Sequence, residues 1–447
     1  MRLPHFGICS SRFGAAPLTL LLLLATSVAG AQAPAEHART RWERLCQIRR
    51  DQFDLILPRA MRDHGIDMWI VMQKENQFDP MYDDLGRGYV GSVAYWIFTD
   101  RGGDRIERAA IGVSGYRLDE CGYDLVRGFQ PLQAFVAERD PKRIGVNMSD
   151  AIGAADGLSK TSHDRLMKEL GSYASRVVSA ENVVSDFRSG FTASRLVALG
   201  ENGEIARRLA DRALSNEIIT PGVTTLEDVA WWMANELQAR NLGSSFEMPS
   251  VYITGPRGIE ATSNERIIQR GDLLMIDWGV GYLNTWTDVK RVAYVLKHGE
   301  TTVPAGLQAA FDNALKVREV IRRTIKPGPT AGAMLTQLAA EIEKAGFRMQ
   351  GTFNETTNDG KVEVMIGCHS IGDRGHGSGP SIAWFNPGQH AFPIKPFNPF
   401  SIELFAWTPV PEWGGAKARI PLEDDAIVTE RGVEWFYPVI QRIRIIK

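Results

Sequence analysis

The 447-residue chain has few cysteines, almost no net charge and no recognisable nucleophile or phosphate motif. Four cysteines over this length cannot build a disulfide scaffold. No two of them stand as Cys-x-x-Cys, which removes zinc knuckles and dithiol redox chemistry from consideration. Lys and Arg number 51 against 53 Asp and Glu, a formal charge of −2. Nucleic acids and anionic membranes are bound through a basic face or tail, so neither is an expected partner. A Gly-x-x-x-x-Gly-Lys-Ser/Thr phosphate loop is missing, and so is a Gly-x-Ser-x-Gly elbow, Ser378 standing instead after His376-Gly377.

Acidic residues are also missing from the first 35 positions, which carry Arg2 and Arg12, an apolar run from Ala15 to Gly30, and the small residues Ala29-Gly30-Ala31. This is the pattern of a secretory signal peptide over 1–31, and the run is short of the roughly 20 apolar residues a membrane span needs. The expectation is an exported protein, periplasmic or secreted, with no membrane attachment after cleavage. Loss of Arg2, Arg12 and Cys9 leaves 49 basic against 53 acidic side chains, and leaves Cys46, Cys121 and Cys368. At most one disulfide can form, and the sequence does not say which.

What is present alternates. Apolar spacing from Arg39 to Gly65 predicts a helix, and β-rich runs at Met68–Met72, Val93–Phe98, Ala109–Val113 and Arg143–Val146 predict a sheet. Together they make an α/β domain over 36–188. Residues 192–447 read as a second domain. It opens with a helix through Leu214, and Thr224-Thr225-Leu226-Glu227 signals a cap for another helix running to about Arg240.

The chemistry begins at Leu273–Gly279, an apolar run interrupted by Asp277, followed by Trp286–Leu296 with Asp288 near its start. This is a hairpin pattern. With the turn centred on Tyr282-Leu283, Asp277 and Asp288 are expected directly opposite, their Cβ atoms about 5 Å apart. At an effective dielectric near 20 the repulsion is about 3 kcal/mol, large against a folding margin of about 5–15 kcal/mol. A shared proton, a basic partner such as Arg291, or a bound cation must offset it. Further on, His369 and His376 lie in glycine-rich turns, Glu403 interrupts Ser401–Phe405 and Glu423 interrupts Ile420–Thr429. Glutamates among apolar neighbours are costly to bury bare. Four carboxylates, Asp277, Asp288, Glu403 and Glu423, balance two divalent ions, with neutral His369 completing an oxygen-rich set. The neighbouring Asp424 and Asp425 read as solvated. His64, His163, His298 and His390 have no partner at ligand spacing.

The ordered set of Asp277, Asp288 eleven residues on, His369 seven before His376, Glu403, and Glu423 six before Thr429 resembles the pita-bread metallopeptidases. These include methionine aminopeptidases, Xaa-Pro aminopeptidases and prolidases. The resemblance covers about 192–447, and the extra domain before it resembles the creatinase, prolidase and aminopeptidase P branch. It implies a mixed α/β (α+β) fold, a creatinase-like N-terminal domain before a pita-bread domain with a pseudo-two-fold curved antiparallel sheet. It implies a dinuclear centre in which Asp277 binds one metal, Asp288 and Glu423 bridge, and His369 and Glu403 hold the other. Mn²⁺ or Co²⁺ is expected first, with Zn²⁺ or Fe²⁺ also compatible. Glu403 would carry the proton from water to the leaving amine, and His376 would bind substrate. The expected substrate is a short peptide, and a homodimer is compatible with the family.

The chain departs from the family in two places. The upstream histidine of family peptidases is absent from Gly258-Ile259-Glu260-Ala261, which leaves Xaa-Pro specificity open, and Cys368 stands where a glycine or small residue is usual. Hydrolysis of a non-peptide C–N or ester bond, or a metal-retaining binding protein without catalysis, remain as alternatives.

Overall fold

The computed structural model describes residues 36–447 except 115, 116, 352, 354–356 and 358. The expected signal segment 1–31 lies outside the described residues. Among those residues no helix is long and apolar enough to cross a membrane.

The first half is built on a six-stranded sheet in the order Leu125–Arg127, Glu107–Ser114, Tyr89–Thr99, Met68–Lys74, Ile144–Val146, Val177–Ser179. From Met68 to Met72 its central strand is apolar without interruption because both of its faces are buried. Trp69 and Val71 face a core with Phe53, Leu57, Met61 and Phe187. The alternate residues Met68, Ile70 and Met72 face another with Leu132, Phe135, Leu166 and Leu170. The leading helix Ala38–Asp51 widens into a π-turn over Gln52–Ile56 before Leu57–Arg62. Gln52 at that turn is buried, and its amide donates to the carbonyls of Phe187 (3.0 Å) and Gly190 (2.9 Å) while accepting from Thr192 N. One side chain thus stitches the first half to the start of the second. Cys46 of the leading helix forms a disulfide with Cys121, and Cys368 is free and buried.

The second half repeats one arrangement. Helices Ala193–Ala213 and Leu226–Ala239 cover a sheet ordered Arg444–Ile446, Val289–Val295, Leu273–Trp278, Ser250–Gly255, Gly258–Glu260. Helices Ala305–Thr324 and Ala331–Lys344 cover a sheet ordered Arg348–Met349, Glu363–Ile366, Leu404–Pro409, Lys417–Leu422. The expected cap is present: Thr225 accepts from Asp228 N, and Asp228 accepts from Thr225 N in return. A β-bridge links the strand Val289–Val295 to the end of Lys417–Leu422, where Lys290 N donates to Glu423 O at 3.1 Å.

The hairpin register differs from the sequence expectation. Leu283 and Asn284 both take the left-handed conformation (φ 50° and 54°), so they form the turn, and Tyr282 pairs with Thr285 and Gly281 with Trp286. Carried down the ladder, this places Asp277 opposite Lys290, not opposite Asp288. Moving the turn centre by one residue moves each partner by two, so the facing side remains the same while the neighbour changes.

The Cys46–Cys121 link closes a loop of 75 residues. Replacing both cysteines by serine should cost about 2–4 kcal/mol in urea unfolding. A loss below about 0.5 kcal/mol would show that the link does not hold the leading helix.

Candidate metal centre

The centre forms where the two sheets meet. Asp277 lies near the end of strand Leu273–Trp278, Asp288 and Lys290 at the start of its partner strand, and Glu423 directly after Lys417–Leu422. His369 begins a two-residue strand paired with Pro399–Ser401, and Glu403 follows that strand's end. Two glycines admit this crowding. A Cβ at Gly279 would stand 1.8 Å from Thr287 O, and one at Gly367 would stand 2.2 Å from Glu403 Oε2.

On one side of the centre lies an ammonium. Lys290 Nζ is 2.5 Å from Glu423 Oε2, 2.7 Å from Glu403 Oε1 and 3.2 Å from Asp277 Oδ2. Its side chain is 8% exposed. Two of its N–H groups donate to Glu403 and Glu423, and Asp277 stands in ion-pair range. Burial opposes this charge, but Asp277, Glu403, Glu423 and Asp288 outweigh it and hold the lysine well above its usual pKa. Glu423 is held well below the carboxylate range by Lys290 and His369, against the pull of burial. Burial and the Glu423 charge push Glu403 up to about 7 although Lys290 pulls it down. Asp288 is pushed upward by burial and the Glu423 charge, and Asp277 by burial, with Lys290 opposing.

On the other side lie unpartnered atoms. His369 Nδ1 is 3.1 Å from Ser370 O, which can only accept, so Nδ1 carries a proton and Nε2 is turned inward, open as a ligand atom when the ring is neutral. That Nε2 is buried without a hydrogen bond, as is Asp288 Oδ1. Nε2 stands 3.6 Å from Glu423 Oε1, 3.7 Å from Asp288 Oδ2 and 3.9 Å from Glu403 Oε2. These gaps are too long for hydrogen bonds. They are close to the spacing of ligand atoms around one ion with bonds of about 2.0–2.2 Å. The donor set on this side therefore fits a divalent ion. Ser401 Oγ donates to Glu423 Oε1 at 2.5 Å and fixes that carboxylate. His376 Nε2 reaches to 3.7 Å from Asp288 Oδ2 with its side chain 63% exposed, its ring edge-on to His369 at 4.7 Å and near Phe246 at 5.3 Å.

All six residues singled out in the sequence, Asp277, Asp288, His369, His376, Glu403 and Glu423, converge here, with three overlapping groups of them close enough to share ions. Three readings of their neighbours change. The basic partner of the aspartates is Lys290. Arg291, one residue on, points to the opposite face and pairs with Asp424 at 2.8 Å. Asp424 and Asp425 are fully buried, not solvated. Arg291 and Arg318 hold Asp424, while Asp425 accepts from Tyr437 Oη and from Asp288 N. Sequence reading missed Lys290 because the turn was centred one residue early. Asn284, a residue tolerant of the left-handed conformation, was the available signal. His64 and His390 have structural partners, Asp186 and Ala383 O. Glu260, where family peptidases carry histidine, is tied to Arg266 at 2.6 Å.

The sequence profile of metallopeptidase family M24 matches residues 198–430. The chain belongs to that family. By that membership it is a metal-dependent hydrolase of the peptidase class, and its acidic and histidine groups are of the kind that hold the metal. Among solved structures it is similar to X-Pro aminopeptidase from Thermotoga maritima, with 19% identity, 87% of this chain and 99% of that one covered, and a TM-score of 0.61. It is similar also to Xaa-Pro dipeptidase from Bacillus anthracis (19%, 92% and 100%, 0.59) and to prolidase from Pyrococcus horikoshii (16%, 90% and 99%, 0.56). These likenesses show the fold, including the added N-terminal half. No curated protein matches the chain in sequence.

Asp424→Ala leaves Arg291 buried without its carboxylate and should cost about 3–5 kcal/mol of stability in chemical denaturation. A cost under about 1 kcal/mol would mean that the strand junction does not depend on this pair.

Proposed function

We propose that the chain is an exported peptidase that cleaves short peptides, an aminopeptidase or dipeptidase of the Xaa-Pro aminopeptidase and prolidase type. The supporting observation is the convergence of Asp288, His369, Glu403 and Glu423 on one buried point with inward-facing unpartnered atoms and His376 at its mouth. Beside His376 lies a cleft lined by Pro80 and Ala151–Ala154 of the first half and by Arg374, Gly377 and Gln389 of the second, and a short peptide is the occupant this reading assigns to it. The disulfide supports export, because such bonds persist in oxidising compartments.

A divalent ion at the His369 side, Mn²⁺ or Co²⁺ before Zn²⁺ or Fe²⁺, would supply Lewis-acid activation of water and of the scissile carbonyl. The residues do the rest. Asp288, His369, Glu403 and Glu423 would hold the ion. Glu403 presents Oε1 to Lys290 and Oε2 toward His369, so one carboxylate oxygen is anchored while the other can take a proton from water and return it to the leaving amine. His376, exposed on the cleft side, is placed to hydrogen-bond a substrate oxygen. The loss of the upstream histidine, with Glu260 held by Arg266 in its place, favours one second reading, hydrolysis of a non-peptide C–N or ester bond.

The test is a panel of dipeptides, tripeptides, amides and esters offered to the mature chain with Mn²⁺ or Co²⁺. Peptide turnover is expected, lost together with bound metal in Asp288→Ala. Glu403→Gln should lower kcat by about 10²-fold or more with KM changed only a few-fold. Turnover of esters or amides alone would replace the peptidase reading with the second one.

A further inference from the structure

We infer that Lys290 takes the place of one of the two divalent ions, so that the centre binds a single divalent ion on its His369 side. This rests on reading the cluster as a metal centre and does not depend on which bond is cleaved. The ammonium lies between Asp277, Glu403 Oε1 and Glu423 Oε2, donating to the two glutamates and in ion-pair contact with the aspartate. An ion on this side would be held by Asp277 and Glu423 with Asp288, and the ammonium already contacts the first two, so ion and ammonium compete for the same oxygens. Lys290 is not free to withdraw cheaply. Its backbone forms the bridge to Glu423, its side chain is buried, and Phe405 lies 5.5 Å from Nζ.

Among the described residues no lysine or arginine pairs with the opposite half of the centre. His369 Nε2 and Asp288 Oδ1 are buried and unpartnered, and the second oxygens of Glu403 and Glu423 turn toward them. The hairpin register makes the substitution possible, since it sets Lys290 opposite Asp277 on the strand that bridges to Glu423, in contact with all three carboxylates.

The experiment is metal stoichiometry on the chelator-stripped mature chain, titrated with Mn²⁺ and dialysed, with bound metal measured by elemental analysis and Mn²⁺ spin resonance recorded on the same sample. The wild-type chain should bind about one equivalent and show the signal of an isolated ion. Lys290→Ala should rise to about two equivalents with an exchange-coupled signal, and His369→Ala should lose the ion. Two equivalents or a coupled signal in the wild type would overturn the inference, as would no bound metal, or one equivalent in folded Lys290→Ala. Should that variant fail to fold, the wild-type spin signal decides alone. One equivalent without peptide turnover would uphold this inference while sinking the peptidase reading.

Discussion

The structure depends on the repulsion among four carboxylates brought to one junction. Asp288, Glu403 and Glu423 are almost wholly inaccessible and Asp277 is half-buried. Bare charges at such spacing in a low-dielectric setting would cost more than the whole folding margin. The chain answers with a cation of its own. Because Lys290 also bridges the two sheets through its backbone, the residue that joins the halves of the second domain is the one that neutralises their shared face. Arg291 does the same on the reverse face, where it meets Asp424 and the Glu423 carbonyl. Two successive basic residues on one strand thus serve opposite sides of the same junction.

The convergence of the acids was legible in the sequence because Asp277, Glu403 and Glu423 each interrupt an apolar run, and a charge is not buried without a reason. Helices with strong periodicity and a cap, such as Leu226–Ala239, were readable for the same kind of local cause. The identity of the facing residue was not. Pairing in a hairpin is fixed by the two residues of its turn, and Tyr282-Leu283 and Leu283-Asn284 leave the same side chains on the same face. Only the left-handed conformation at Leu283 and Asn284 separates them. Asp424 and Asp425 were misread for a related reason. Their partners Arg318, Tyr437 and Arg291 are distant in sequence, so nothing local marked them as buried.

What holds that turn in its unusual conformation comes from the other half of the molecule. Asn284 Nδ2 donates to Asp84 Oδ1 at 3.1 Å, and Asp84 is paired through its other oxygen with Arg188 at 2.9 Å. Arg188 is completely buried and also faces Asp373 at 3.4 Å. Asp373 in turn accepts from Ser378 N and Oγ, closing the glycine-rich loop that carries His376. One guanidinium therefore connects the hairpin turn, which sets what faces Asp277, to the loop that presents His376. Burial works against the charge on Arg188, and Asp84 and Asp373 more than restore it. An exposed histidine on a loop would ordinarily sample many positions. Here its loop is anchored from beneath by an ion pair that solvent does not reach, so the imidazole stays over Asp288 while its face remains open to the cleft. The N-terminal half contributes no residue to the carboxylate cluster, yet through Asp84 and Arg188 it fixes both the register beneath the centre and the side chain above it.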